Sequence, residues 1–478
     1  MESMLKLQKV LKRVMKLRFG TKLLMTKRKV QMKRINNRRH MKKTLLITLF
    51  FASILSFGQQ KKWTLQECVS HALENNITVK QGENTLLSNE QDVIAAKGQF
   101  YPSLGAGINQ SMSLGQAELF AGNFVDRRFH STSIGLSVSQ TVFNGFRNTY
   151  IYKQSQINLE ANEFELARIK DDISLNVANA YLNVLFNREN LETAQAQYEF
   201  SKKQLEQVED LVDAGVQPKA NIYDAQATLS RDAQQVTIAE NNFNLALLSL
   251  SQLLQVPFAD FDVEIIEIDN PSETLMYKSI EPVLEYAFQN RNEIKVAEKN
   301  IENAEVGTKI SKSGYLPNVS FGYGYNAGAN FSNLTSDNSF FQQLNDNRGH
   351  SFNLNVSIPI FSRFQNKTSV AKSQIAEENA KLGFNQVKLN LESNIQRAFT
   401  DAQVALKAYV AAKSSLSSQE LAFNNAKERY DIGAMTAFDL EQARVQFINA
   451  MSSLINAKYD FVFKTKVLDF YMGKTITY

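Results

Sequence analysis

One cysteine in 478 residues, Cys68, excludes any disulfide within the chain. The four histidines (His40, His71, His130 and His350) stand without ligand spacing, and one tryptophan leaves little material for an aromatic cage. There is no phosphate loop, no nucleophile elbow and no cluster of metal-binding residue types. These absences point away from an enzyme, a metal centre or a cofactor. Proline and glycine are missing altogether from Asn148 to Val212, so nothing in that stretch interrupts a helix.

The net charge of +5 averages two unlike pieces. Residues 1–58 hold 16 of the 53 Lys and Arg residues and one acid, Glu2, leaving a remainder of 37 bases against 47 acids, a net of −10. An acidic body argues against nucleic acid as a partner. The basic piece contains MKKTLLITLFFASILSFGQQ from Met41, which has the charged start, short apolar core and small residues of a secretory signal over 41–58. Residues 1–40 lack apolar periodicity and read as an over-extended upstream start, with a basic nucleic-acid-binding arm as the competing reading. Export is the expectation.

The chain is written twice. AKGQFYPSL (96–104) matches SKSGYLPNV (311–319), and LVDAGVQPKANIYDAQATL (211–229) matches YDIGAMTAFDLEQARVQF (430–447). Residues 59–256 and 283–470 form the two repeats, joined by an Asp-, Glu- and Pro-containing linker over 257–282. A tail follows over 471–478.

Each repeat contains two runs of alternation, near 103–114 and 131–142, then near 318–328 and 351–360. Ile108, Leu136, Phe321 and Val356 belong to the apolar faces. Ser, Gly, Asn and Thr fill the others, with almost no Lys, Glu or Asp. A water-facing sheet would use charge freely, whereas a crowded barrel lumen suits small uncharged side chains. Runs of about ten residues cross a bilayer as tilted strands. Four strands leave open edges in lipid, so closure demands subunits: a dimer gives eight strands, a trimer twelve.

The remaining sequence is heptad-patterned. Val177, Val184, Leu191, Tyr198, Leu205 and Val212 recur every seven residues, as do Ile395, Ala402, Tyr409, Leu416, Phe423 and Tyr430. Such repeats impose left-handed coiled coils. They predict helical hairpins over 146–256 and 364–470, turning at 213–220 and 431–438 around Gly215 and Gly433. The fold class is therefore mainly α, with long antiparallel helical hairpins and a transmembrane β part of four strands per chain.

The duplicated plan, the Tyr315-Leu-Pro step, the strand exits QTVFNGFRN and SIPIFSRFQN, and the two tips followed by Asp439-Leu-Glu-Gln-Ala carry a resemblance. In this order they resemble the TolC-type outer-membrane factors of tripartite efflux and secretion systems, over nearly all of residues 60–470. The resemblance implies a homotrimer with a twelve-stranded barrel in outer-membrane lipid and a coiled-coil tunnel through the periplasm. It implies no catalysis and no cofactor. A periplasmic adaptor would dock on Gly215, Val216, Gly433 and Ala434, and an inner-membrane pump of the RND or ABC type would supply energy.

The family closes its inner end with polar links and acidic rings. Tyr430 matches the linking tyrosine and Asp439 one ring aspartate. Met435 replaces the link arginine, Gln442 the second ring acid and Asn221 the first-repeat acid. Asp224 and Glu441 are the candidates to take part instead. Tyr430 is also a heptad core position, and Asp439 also suits a helix start. A trimeric membrane-anchored stalk or adhesin is the rival function, though such stalks carry no full-length duplication.

Overall fold

Thr64 opens the first helix with a reciprocal cap: its hydroxyl accepts the Glu67 N–H at 3.1 Å, and the Glu67 carboxylate accepts the Thr64 N–H at 3.1 Å. The computed structural model describes residues 62–265 and 271–474; the signal segment and everything before it lie outside the described residues. In chain order the first repeat comprises β1 (Lys62–Trp63), α1 (Leu65–Asn75), α2 (Ile77–Gly98), β2 (Ser103–Phe120), β3 (Asn123–Asn144), α3 (Arg147–Asp213) and α4 (Ala220–Leu254). Between the repeats lies β4 (Asp262–Val263). The second repeat comprises α5 (Glu281–Asn290), α6 (Asn292–Lys312), β5 (Asn318–Ser332), α7 (Phe340–Asp346), β6 (Gly349–Ser357), α8 (Gln365–Asp431) and α9 (Ala437–Tyr471).

α3 and α8 have 67 residues each, which at 1.5 Å per residue makes rods roughly 100 Å long. Their partners are about half that length or less. α4 and α9, 35 residues each, return along the lower halves, and α2 and α6 pack beside the upper halves. The heptad rows are what these helices bury: Ile173, Val177, Val184, Ala194 and Val208 on α3, and Leu391, Ile395, Ala398, Ala402, Ala405 and Tyr409 on α8. Where the short partners end, a core gathers Leu65, Cys68, Val177, Tyr181, Leu250, Leu254 and Val263. The parallel pair β1–β4 seals it, and the Tyr181 hydroxyl donates to the Glu264 carbonyl at 2.6 Å.

The sheet runs β2-β3-β5-β6, antiparallel throughout, and leaves β2 and β6 as open edges. Alternation alone marks strands ending near Leu114 and beginning near Ser131, with GQAELFAGNFVDRRFH as a loop. The structure corrects that: β2 and β3 continue as a paired ribbon to a tight turn between Phe120 and Asn123. The binary pattern is lost there because Glu118, Asp126, Arg127 and Arg128 intrude, yet main-chain pairing needs no apolar face. β6 ends at Ser357, short of the expected 360.

Both sheet-to-helix steps use left-handed backbone. Gly145 and Phe146 have φ of 66° and 63°, and Arg363 and Phe364 have 49° and 65°. Edge-on ring pairs hold each step, Phe143 with Phe146 at 5.3 Å and Phe361 with Phe364 at 5.7 Å. Among the described residues no helix is long and apolar enough to cross a membrane, which says nothing about the sheet.

Candidate functional site

The strand register gathers the apolar residues into one surface. Ala106 stands opposite Leu136, Leu136 opposite Tyr325, and Tyr325 opposite His350; Ile108 meets Ile134, and Phe321 meets Leu354. Cross-strand partners project to the same side, so Ile108, Leu136, Phe321 and Val356 share one face, and all four are exposed. The opposite face carries Gly105, Gly107, Gly135, Gly322 and Gly324 among Ser and Asn. It is crowded: a Cβ on Gly324 would come within 2.7 Å of the Ser351 hydroxyl, and one on Gly135 within 3.0 Å of the Asn326 side chain. Converging side chains on a concave face would need such small residues.

Aromatic residues bracket the apolar band. Phe100, Tyr101, Phe146, Tyr315, Phe361 and Phe364 are exposed at the helix junction. At the other end Tyr323 hydrogen-bonds His350 at 2.9 Å, and Tyr325 and Phe352 flank the pair. From Tyr315 to Tyr325 is ten residues, roughly 23 Å of membrane depth at a 45° tilt. That is the height of an outer-membrane apolar band between its girdles.

At the other end of α3 and α8 the two tips fold alike. Gly215 and Gly433 follow the last helical turns at φ 75° and 74°. Gly215 N–H donates to Val212 O at 2.9 Å and Val216 N–H to Leu211 O at 2.8 Å; Gly433 to Tyr430 and Ala434 to Arg429 repeat these distances. Both are Schellman turns, which need φ above zero at the glycine. A Cβ there would meet nothing within 4 Å, so backbone conformation alone demands the glycine. Val216, Tyr223, Ile432 and Phe438 are exposed at this end. The last three are surface residues that sequence reasoning missed, because an apolar residue near a helix end reads as core.

Of the four gate candidates, Asp224, Tyr430 and Glu441 line one recess of about 390 Å³, with Asn221, Arg231 and Phe438. Asp439 is not among its lining. It sits in the first turn of α9, where its N–H donates to the Thr436 hydroxyl at 3.2 Å and that hydroxyl donates to its carboxylate at 2.7 Å. Gln217 Nε2 donates to the Tyr430 hydroxyl at 3.4 Å and Asn221 donates to Gln217 Oε1 at 3.1 Å, a link from the first tip to α8. Among the described residues no hydrogen bond or ion pair holds the Asp224 carboxylate.

Glu441 is fully engaged. Arg444 donates to it from Nε at 2.7 Å and Nη2 at 2.9 Å, and Arg231 approaches at 3.4 Å. Arg444 itself is only 1% exposed, and its Nη1 reaches Asp232 on α4 at 2.9 Å and Ser201 on α3 at 3.3 Å. Ser201 in turn donates to Asp232. Burial opposes the charge on Arg444, but Glu441 and Asp232 outweigh it and hold the guanidinium more firmly protonated than usual. This hub ties α9 to both helices of the first repeat. The Glu441–Arg444 spacing of three was legible as a helical ion pair, while its burial was not.

A four-stranded sheet with one apolar face between aromatic girdles, set on hairpins whose bare tips lie about 100 Å away, defines a subunit of an outer-membrane export channel. The chain belongs to the outer membrane efflux protein family, whose model matches residues 68–255 and 283–474. It is similar to the outer membrane protein TolC of Vibrio cholerae, with 24% identity over 434 residues that cover 87% of this chain and 92% of that one. In structure it resembles the outer membrane protein VceC of Vibrio cholerae, with a TM-score of 0.70 and 17% identity over 86% of this chain and 96% of that one. The Campylobacter jejuni CmeC outer membrane channel gives 0.70 and 18%, covering 87% of each.

Proposed function

We propose that three copies of this chain close a twelve-stranded barrel and a continuous helical tunnel, forming a passive duct from the periplasm to the exterior. A periplasmic adaptor docks on the tips at Gly215, Val216, Gly433 and Ala434, and an inner-membrane pump of the RND or ABC type drives the cargo. The duct itself consumes no energy. The observation that carries this reading is the open sheet: β2 and β6 are unpaired edges on a sheet whose apolar face is built for lipid.

The helices add support. Ile375, Leu382 and Leu389 form an exposed heptad row on α8, Leu87 and Ile94 stand at the same interval on α2, and Ile238 and Leu245 do so on α4. Among the described residues these are seams with no partner inside one chain. Ser, Asn and Gly line the barrel, and Tyr430, Asp224, Glu441 and Asp439 surround the inner mouth. Planar-bilayer recording tests the duct: the purified protein should give discrete conductance steps without any energy source. A protein that inserts as a trimer yet never conducts would be a stalk.

A further inference from the structure

The two strand hairpins differ in reach. β3 pairs with β5 out to Phe129 opposite Ser332, while β2 and β3 continue together to the Phe120–Asn123 turn. β6 is shorter still, ending its pairing with β5 at Gly349 opposite Asn326. Past that point β5 would present bare main-chain groups along its edge. Side chains cover them instead: Asn347 Nδ2 donates to Gly328 O at 2.9 Å, Asn330 N–H donates to Gln343 Oε1 at 2.8 Å, and Ser332 N–H donates to Asp337 at 2.6 Å. α7 thus occupies the lane that a longer β6 would fill, with Gln343 buried against β5.

Helical geometry then fixes what faces away from β5. At about 100° per residue, Phe341 and Asn345, each two positions from Gln343, lie about 160° around the helix from it. Phe341 is 81% exposed. In a closed barrel the next lane belongs to β2 of the adjacent subunit. β2 has 18 residues against nine in β6, so its outer half runs past any strand partner there. That half presents exposed Met112 and Leu114 on the apolar face, and among the described residues its edge pairs with no strand of its own chain.

We propose that α7 clasps β2 of the neighbouring copy of this chain, with Phe341 against Met112 and Leu114. The Asn345 carboxamide, which within one chain accepts from Arg348 at 2.8 Å and donates to Asp346 at 3.4 Å, keeps one N–H for a main-chain carbonyl of that edge. One short helix would then cover two strand edges, one in each subunit, just outside the membrane. The inference rests on the trimeric reading above.

Phe341→Cys combined in turn with Met112→Cys and with Leu114→Cys tests it. Under mild oxidation the full-length protein should run on denaturing gels as covalent dimers and trimers, while each single variant stays monomeric. Independently, Phe341→Ala should lower the temperature at which the detergent-solubilised trimer dissociates, and Gln342→Ala should not. A native mass spectrum showing three chains, with no cross-link from either Met112 or Leu114 and an unchanged dissociation temperature, would overturn the clasp while leaving the trimer. A single chain in that spectrum would overturn both.

Discussion

The two repeats end their long helices in the same turn and begin their return differently. Gly215 and Gly433 close Schellman turns with matching hydrogen bonds, but Lys219 gives α4 no side-chain cap, whereas Thr436 caps α9. Eleven residues past its glycine, the second repeat buries Arg444 against Asp232 and Ser201; the matching residue of the first repeat, Gln226, is exposed. At the other end the first repeat extends a strand ribbon and the second substitutes α7. Duplication supplies the frame, a hairpin of helices under a hairpin of strands. The divergence supplies the fastenings: one buried charge joins the repeats near the tips, and one helix covers a strand edge near the exterior.

The largest expected effect breaks that asymmetry. Arg444→Ala leaves the buried Asp232 without its cation and the half-buried Glu441 with only the more distant Arg231. It should cost about 3–5 kcal/mol, seen as a lowered melting temperature of the helical circular-dichroism signal. Gln226→Ala, at the matching position, should leave it unchanged. Next comes the sheet. Phe321→Arg on the apolar face should cost about 2–4 kcal/mol at mid-membrane depth and impair assembly, while Ser137→Arg on the glycine-rich face should assemble and alter conductance. Equal damage from both would reverse or abolish the proposed orientation.

Smaller effects belong to the tips. Gly433→Ala meets no steric obstacle and should cost only the left-handed backbone penalty, about 1–2 kcal/mol. Gly215→Trp and Gly433→Trp should retain trimers yet abolish export in cells if the tips are the docking surface, as proposed; normal export from both would place docking elsewhere. Smallest is Asp439→Asn, which keeps the hydrogen bond to Thr436 and removes a charge worth roughly 0.3–1 kcal/mol to the helix start. If three copies of Asp439 form a cation ring, the variant should show weaker block by periplasm-side divalent ions, with thermal stability lowered by no more than that helix-start contribution. Unchanged block would leave Asp439 with its helix-start role alone.

Much of the frame was legible in the sequence because its signals are periodic. Val177, Val184, Ile395 and Ala402 stand in seven-residue rows and are buried, and Ile108 and Leu136 alternate and share a face. Legibility failed where pairing or burial depends on distant partners. The ribbon from Gly115 to Arg128 carries charge on both faces and so reads as loop, although its main chain pairs up to the turn. Arg444 reads as a solvated helix residue, because a sequence does not reveal that Asp232, 212 positions earlier, waits across the bundle. Asp224, Tyr430 and Glu441 come together in one recess, but only the fold distinguishes the engaged Glu441 from Asp224.

The whole assembly depends on closure of the sheet by copies of the same chain, since a lone four-stranded sheet cannot satisfy its edges in lipid. Native mass spectrometry of the protein extracted in mild detergent tests it most directly. The expected mass is that of three mature chains, with the strand segments resistant to protease in that assembly. A stable single chain whose strands show the same resistance would contradict it.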